Sequence, residues 1–141
     1  MSVPPDVVRR VGQWVEKAEH DLQTAEHTLT LEGNCPRDMV CFHAQQCVEK
    51  YLKAVLVAES VEFPRSHDLV ILMKLVKARL PLAVELGAVQ PLNRYTIEAR
   101  YPGDWEPITR EETDEAVDIA RKVRAEARRF LPAETLGDRE R

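Results

Sequence analysis

The spacing of apolar residues is the feature that most restricts what this chain can fold into. Between Asp6 and about Leu31, apolar residues recur every three or four positions, which places them along one face of an α-helix with about 3.6 residues per turn. The stripe consists of Val7, Val8, Val11, Trp14, Val15, Ala18, Leu22, Ala25 and Leu29. The pattern predicts a long first helix that packs one face on a core.

Two more helices are predicted in the first half of the chain. Gly33 and Asn34 accept left-handed backbone angles and end the first helix, and a second helix is expected from about Arg37 to Ser60, with an apolar buried side. The extended residues before Ser66 make that serine a natural N-cap for a third helix, which is expected to reach Leu80.

The second half of the chain contains a broken segment, a loop and a last helix. Gly87 and Pro91 interrupt the helical pattern of residues 82 to 99, which predicts one broken helix or two short ones. Two prolines and a glycine predict a loop over residues 101 to 107. Thr109 followed by Glu112 is a capping box, and it predicts the start of the last helix.

Length and composition favour one soluble globular domain. The chain has 141 residues, of which 44% are hydrophobic and 31% charged, enough to bury a core without cross-links. We therefore expect a single all-α domain over residues 1 to 132. Residues 133 to 141 lack apolar periodicity and are expected to form a flexible tail.

Charge, cysteines and the amino terminus restrict the class of protein further. A net charge of −4 argues against broad electrostatic capture of nucleic acid.

The cysteines and the amino terminus indicate the compartment. Cys35, Cys41 and Cys47 match neither a disulfide framework nor a zinc site, so we expect reduced thiols. The sequence begins with no basic and apolar leader and has no stretch long enough to cross a bilayer. A cytoplasmic location without membrane contact is the resulting expectation.

Four groups of residues, in this order and spacing, resemble the HEPN (higher eukaryote and prokaryote nucleotide-binding) family. They are Asp21-Leu22, the block CFHAQQCVEKYLKA from Cys41 to Ala54, the turn FPRSHDL from Phe63 to Leu69, and Ala99-Arg100-Tyr101-Pro102. The likeness extends over about residues 10 to 131. It implies an up-and-down bundle of about five helices, commonly a homodimer, that often acts with a small nucleotidyltransferase as a two-component or toxin–antitoxin pair.

Ribonucleases of that family share a further pattern, an arginine followed after four to six residues by a histidine in the later part of the bundle. His67 is the last histidine here, so neither Arg94 nor Arg100 has a downstream partner. Arg37 and His43 have a matching separation, but they lie at the start of the second helix and face different sides of it. No catalytic residue is therefore assigned.

Candidate ligand-binding residues form two groups. His43, Gln46, Lys50 and Lys53 fall on neighbouring angles of the second helix and form a polar stripe able to meet phosphate or base. The alternative is a solvated face on which Gln46 pairs with Lys50 and Glu49 with Lys53.

The second group lies at two chain connections. His67, with Arg65 nearby, sits at a helix amino terminus, where backbone N–H groups attract anions. Arg100 and Tyr101 adjoin the proline loop, where the arginine can bind phosphate or pair with a carboxylate. Helix capping and ordinary ion pairs are the structural alternatives for these residues.

Three functional hypotheses follow. The first is a non-catalytic nucleotide-binding or regulatory module that works through a homodimer or a nucleotidyltransferase partner; it implies no metal and no cofactor, and its ligand is a nucleotide. The second is a metal-independent ribonuclease, with its acid and base drawn from His43, His67, Arg65 or Arg100. The third is a structural dimer that binds no ligand.

Overall fold

A computed structural model describes residues 3 to 137 of the chain. The helices are α1 (Pro5–Leu29), α2 (Arg37–Ala58), α3 (Leu69–Lys77), α4 (Leu86–Val89), α5 (Tyr95–Glu98) and α6 (Arg110–Arg129), with 3₁₀ turns at Gln90–Arg94 and Ala133–Thr135. No strand occurs in this range. The all-α, single-domain bundle predicted from the sequence is confirmed, and the broken α4–α5 segment occupies the place of one helix.

Helix α2 is the centre of the bundle. It packs against α1, α3 and α6, and every residue from Ala44 to Val57 except Lys50 is buried. A helix buried on all sides belongs in the middle of a fold. The sequence pattern predicted one buried side and one polar stripe for this helix, and the structure corrects that prediction because neighbours cover the other side as well.

The connection between α1 and α2 follows the sequence prediction. Gly33 and Asn34 both have positive φ angles, 61° and 45°, in the left-handed region that glycine and asparagine tolerate best. Pro36 then precedes the first residue of α2. The reversal lets α1 and α2 lie side by side, which brings acidic residues of α1 against polar residues of α2.

Helix α3 begins later than the sequence predicts. Its N-cap is Asp68, whose side chain accepts a hydrogen bond from the backbone N–H of Val70 at 2.9 Å. The Ser66 hydroxyl instead accepts from the backbone N–H of Asp68 at 3.0 Å. Asn93 holds the same end by accepting from the backbone N–H of Leu69. Ser66 therefore shapes the turn before the helix, and Asp68 caps it.

Helix α6 starts with the capping box that the sequence predicts. The Thr109 hydroxyl accepts from the backbone N–H of Glu112 at 3.0 Å, and the Glu112 carboxylate accepts from the backbone N–H of Thr109 at 2.9 Å. The backbone hydrogen bond from Thr109, the nearby Arg94 and the Thr109 hydroxyl lower the pKa of Glu112 despite some loss of hydration. Two otherwise unpaired donors at the helix start are satisfied in this way.

Replacing Thr109 with alanine is expected to lower the free energy of unfolding by about 1 kcal/mol, because the cap acceptor is lost. Urea denaturation followed by circular dichroism measures this change. Thr24→Ala is the matched control, since Thr24 lies in the middle of α1 and its hydroxyl bonds to the carbonyl of His20 in the same helix. Equal effects of the two substitutions would contradict the assignment.

The bundle continues beyond Pro132, where the sequence predicts its end. Ala133–Thr135 form a 3₁₀ turn, Thr135 is buried, and Leu136 packs against the core. Arg128 of α6 also donates to the carbonyl of Leu136 at 3.4 Å. The first part of the expected flexible tail is thus packed on the bundle; residues 138 to 141 lie outside the described part of the chain.

No helix within residues 3 to 137 is long and apolar enough to span a bilayer.

Candidate functional site

A carboxylate of α1 holds two basic side chains of α2. Asp21 accepts from Nδ1 of His43 at 2.8 Å and from Nζ of Lys50 at 2.6 Å, one bond to each of its oxygens. The Asp21 side chain is 11% exposed, whereas those of His43 and Lys50 are 25% and 23% exposed. We call these three residues the Asp21 clamp. The carboxylate lies inside, and the two nitrogen-bearing groups sit at the rim.

The clamp leaves donors available toward solvent. Because Nδ1 of His43 donates to Asp21, the other ring nitrogen, Nε2, accepts a hydrogen bond when the ring is neutral and donates one to an anion when the ring is protonated. The Lys50 ammonium has three donors and makes one side-chain hydrogen bond within the described residues. Asp21 therefore holds both side chains in place, while each of them keeps a further nitrogen or N–H group that a ligand can contact.

Arg100 extends the same rim. Its guanidinium lies 5.2 Å from the ring centroid of Phe42, and the rings of Phe42 and His43 meet edge to face with centroids 5.3 Å apart. The ring of Phe42 thus lies between Arg100 and His43, which stand at positions 100 and 43 of the sequence. Stacking on an aromatic face restrains the guanidinium and leaves its N–H edge exposed.

Two residues of the predicted polar stripe are buried. Lys53 donates to Glu49 at 2.9 Å, which confirms the four-apart pair, but the ion pair is almost completely buried. The Lys53 ammonium also lies 5.6 Å from the ring centroid of Trp14 and 5.9 Å from that of Phe63. Gln46 donates to the side chain of Gln45 at 2.7 Å and does not pair with Lys50.

His67 belongs to this second group of residues. Its Nδ1 lies 3.0 Å from Oε1 of Glu49, and Gln45 donates both to Glu49 and to the carbonyl of His67. We call Gln45, Glu49, Lys53 and His67 the Glu49 cluster. It ties the turn before α3 to the middle of α2. The His67 side chain is 57% exposed, so its ring lies at the surface while its partners lie inside.

The remaining predicted site residues lie apart from both groups. Arg65 is exposed in the turn before α3 and has no ion pair in the described part of the chain. Tyr101 is 60% exposed in the loop that follows α5. The eight candidates are therefore divided. His43, Lys50 and Arg100 form the rim, and Lys53 and His67 both contact Glu49. Gln46 is buried beside Gln45, and Arg65 and Tyr101 are separate surface residues.

A third polar group, absent from the sequence-based candidates, joins α1, α2 and α6. Glu19 accepts two hydrogen bonds from Arg124, at 2.6 and 3.1 Å, and one from the Tyr51 hydroxyl. Arg128 in turn donates to the Tyr51 hydroxyl at 3.0 Å. Tyr51 is fully buried, and its hydroxyl has partners on both α1 and α6.

Burial and hydrogen bonding oppose each other at Glu19. Burial alone raises the pKa of this carboxyl, but the hydrogen bonds from Arg124 and Tyr51 and the charges of Arg124 and Arg128 outweigh it, so the pKa is lowered overall. Burial and the adjacent Glu19 raise the pKa of Tyr51. Glu19 is therefore ionised and Tyr51 neutral at pH 7, which suits a structural tie between helices.

The two buried cysteines lack the properties of a catalytic nucleophile. Burial raises the pKa of Cys41 to about 11 and that of Cys47 well above its ordinary value, so neither is a thiolate nucleophile at neutral pH.

The arginines considered for the ribonuclease pattern bind other parts of the chain. Arg37 donates to the carbonyl of Ile108, whereas His43 faces Asp21. Arg94 donates twice to Glu98, and also to Glu112 and to the carbonyl of Glu106.

No three His, Cys, Asp or Glu side chains of residues 3 to 137 gather as a metal site would. The clamp and its rim are suited to bind an anion, because Lys50 and Arg100 carry positive charge and His43 adds one when protonated, against the single carboxylate of Asp21.

Comparisons with known proteins identify relatives of similar length. A protein of Methanocaldococcus jannaschii named "Putative toxin MJ1304" is 29% identical over 133 residues, which cover 84% of this chain and 86% of that protein. The crystal structure of TT1696 from Thermus thermophilus is similar with a TM-score of 0.69 and 32% identity, covering 86% of this chain and 98% of that one.

A second solved structure supports the fold. It is that of ST0689, an archaeal HEPN homologue, with a TM-score of 0.63 and 24% identity, covering 84% of this chain and 94% of that one. Residues 11 to 130 match the sequence model of the HEPN domain. This match covers every helix from α2 to α6 and all of α1 after its first six residues. The chain therefore belongs to the HEPN domain family.

Proposed function

We propose that this chain is a non-catalytic, nucleotide-binding regulatory module that binds the phosphate groups of a nucleotide at the rim formed by His43, Lys50 and Arg100. It acts as a homodimer or with a small nucleotidyltransferase partner, in a two-component or toxin–antitoxin pair in the cytoplasm. The observation that carries the proposal is the Asp21 clamp, in which one carboxylate holds two basic groups at the surface.

The physical basis is the balance of charge at the rim. The charge of Asp21 offsets that of Lys50, so Arg100 leaves the rim positive and protonation of His43 adds to it. Phosphate oxygens accept charge-assisted hydrogen bonds from such groups. Preorganisation helps as well, because ion pairing and stacking restrain side chains that would otherwise lose conformational freedom on binding.

Family membership supports the biological setting. Resemblance to HEPN proteins implies nucleotide binding and a nucleotidyltransferase companion, and a relative of comparable length carries the word toxin in its name. A nucleotide bound at the rim would regulate such a companion if it changed the affinity of this chain for the companion, because coupling between two binding sites is reciprocal.

Isothermal titration of the purified chain with ATP tests this proposal. Lys50→Met retains the alkyl packing of the side chain but removes its charge, and Arg100→Ala removes the guanidinium. Each is expected to raise the Kd for ATP by about tenfold, since a hydrogen bond to a charged group contributes about 1.5 to 3 kcal/mol. Lys74→Ala, at an exposed position of α3, is the control and is expected to leave the Kd unchanged.

Two results would remove the proposal. One is no binding of ATP or other nucleotides at millimolar concentration, by the chain alone and together with the product of the neighbouring gene. The other is an equal loss of affinity in the Lys74→Ala control, which would indicate general electrostatic attraction instead of a site.

A metal-independent ribonuclease is the second candidate, and the Asp21–His43 hydrogen bond favours it. A carboxylate on Nδ1 orients an imidazole so that Nε2 can act as a general base. His43 would remove the proton from a ribose 2′-hydroxyl; the 2′-oxygen would attack the adjacent phosphorus, and the 5′-oxygen would leave with a proton from Lys50. Arg100 would stabilise the charge of the transition state.

RNA cleavage by the wild type, His43→Ala and His67→Ala separates the two candidates. A ribonuclease centred on the clamp loses about a hundredfold or more in rate with His43→Ala and little with His67→Ala. Equal residual activity in all three proteins would indicate a contaminant and exclude this candidate.

A further inference from the structure

A cleft of about 750 Å³ lies between the α1–α2 connection and the loop that precedes α6. Leu29 and Cys35 line it from one side and Trp105 and Ile108 from the other. We call it the loop cleft. It is distinct from the Asp21 clamp in its lining residues, and the nucleotide-binding proposal makes no use of it.

Trp105 forms a fixed wall of this cleft. Its indole Nε1 donates to the carbonyl of Tyr101 at 2.9 Å, and a Cβ placed on Gly103 would lie only 2.7 Å from the ring. The indole therefore rests directly on the backbone at Gly103, while 44% of the residue remains exposed. A large aromatic surface held in place without being covered is an efficient contact surface, because little freedom is lost when a partner covers it.

Two exposed apolar side chains line the cleft. Leu31 is 53% exposed and Trp105 is 44% exposed. Three further exposed apolar residues, Met39, Ile97 and Tyr101, lie within two positions of lining residues in the sequence. Exposed apolar surface in a concave site is suited to contact with a partner.

The charge around the cleft is negative. Four of the residues that line it are acidic, namely Glu32, Asp38, Glu98 and Glu106, and only Glu98 has a cationic partner, Arg94, in the part of the chain described. Two arginines, Arg37 and Arg110, also line the cleft; Arg37 donates to the carbonyl of Ile108 and keeps its charge, and Arg110 pairs with Asp114. Four carboxylates against two guanidinium groups leave the lining with a net charge of −2.

This charge selects between a second copy of the chain and a different protein. A two-fold contact would place the same patch against itself, so two surfaces of net negative charge would face each other. Like charges brought together in an interface oppose association. A partner with positive charge meets no such penalty and gains cation–π contact with Trp105.

We propose that the loop cleft is the docking site for a segment of a partner protein in which a lysine or arginine stands next to large apolar residues. The apolar side chains cover Leu31 and Trp105, and the basic groups face Glu32, Asp38 and Glu106. This proposal does not rest on nucleotide binding, because none of the residues that line the cleft belongs to the clamp or its rim.

Fluorescence anisotropy with three labelled peptides tests it. The probe is Gly-Lys-Phe-Lys-Leu-Lys-Gly; one control replaces each lysine with glutamate, and the other replaces Phe and Leu with alanine. The full-length chain is expected to bind the probe at least about tenfold more tightly than either control, because both charge and apolar contact contribute.

Substitutions locate the binding. Glu32→Lys/Glu106→Lys and, separately, Leu31→Ser are each expected to weaken probe binding about tenfold. Glu16→Lys/Glu62→Lys makes the same change in net charge at exposed positions outside the cleft and is expected to change binding less than about twofold. Leu31→Ser avoids the loop that Trp105 organises, so it remains informative if Trp105 variants fail to fold.

Two outcomes would overturn the proposal. Equal weakening by the two charge-reversal pairs would mean that binding follows net charge and not the cleft. Sedimentation of the unliganded chain as a dimer that dissociates in the Leu31→Ser variant would mean that a second copy occupies this face.

Discussion

Glu19→Gln is expected to lower the free energy of unfolding by about 3 to 5 kcal/mol at pH 7, the range found when one partner of a buried ion pair is removed. The substitution keeps the shape of the side chain but removes the buried carboxylate that accepts from Arg124 at 2.6 Å and lies 3.9 Å from Nη1 of Arg128. The tie between α1, α2 and α6 through Tyr51 would be weakened at the same time. Such a loss is a large share of the stability of a domain this size.

The same residue gives the stability a defined pH dependence. The pKa of Glu19 in the folded chain is lower than its ordinary value of 4.5, so its contribution is fully present above the unfolded pKa. It is lost as the pH falls through the lower folded pKa. The difference in stability between wild type and Glu19→Gln should therefore shrink as the pH is lowered below about 4.5.

Chemical denaturation at pH 7 and at several acidic pH values measures both effects. Glu16→Gln is the control, because Glu16 lies on the exposed face of α1 and has no ion pair in the described residues. A loss of unfolding free energy at Glu19 no larger than that at Glu16, or one independent of pH, would show that the hydrogen bonds of Glu19 to Tyr51 and Arg124 do not stabilise the bundle.

Glu49→Leu is the second substitution with a large expected effect, again about 3 to 5 kcal/mol. It leaves the Lys53 ammonium in a buried place between Trp14 and Phe63 without its carboxylate. Desolvation of an unpaired charge is the source of the cost. The experiment decides what Lys53 does, since the sequence interpretation assigned this residue to a nucleotide.

The double variant Glu49→Leu/Lys53→Met is expected to recover most of the stability, because a buried ion pair can be replaced by apolar side chains at little cost. It is also expected to bind ATP with wild-type affinity if Lys53 is structural. A double variant as unstable as Glu49→Leu alone would show that an unpaired Lys53 is not the cause of the lost stability. A loss of ATP binding in the double variant would indicate that Lys53 contributes to the nucleotide site.

The helices were predictable where local signals agree with packing. The three- and four-residue spacing of α1 and the capping box of α6 both use information contained in a few neighbouring residues. The start of α3 was not, because Ser66 and Asp68 are both good caps and the choice depends on Asn93, which is distant in the sequence. The change from α-helix to a 3₁₀ turn at Pro91 agrees with the predicted interruption, but Gly87 lies inside α4 and does not interrupt it, and the lengths of α4 and α5 were not predictable.

The site was less predictable because α2 is central. A helical wheel assumes one buried face, and in α2 the polar residues Gln46, Glu49 and Lys53 are buried as well. A usable signal did exist on α1. Glu19 lies four residues after Val15 and three before Leu22, and Asp21 lies four before Ala25, so both acids fall on the stripe that packs inward. Acids on an apolar stripe require basic partners. Arg124 is the partner of Glu19, and His43 and Lys50 are the partners of Asp21.

The most direct test of the account is the response of individual histidine side chains to nucleotide. Long-range ¹H–¹⁵N spectra of imidazole groups, recorded while ATP is added, report on His43 at the rim, on His67 in the Glu49 cluster and on His27, exposed in the last turn of α1. We expect the His43 signals to move with saturation and those of His27 to stay in place. In the Lys50→Met variant the His43 signals should move along a titration curve whose midpoint lies at about tenfold higher ATP concentration. Unchanged His43 signals at saturating ATP, or equal shifts at His43 and His27, would contradict the assignment of the Asp21 clamp as the nucleotide site.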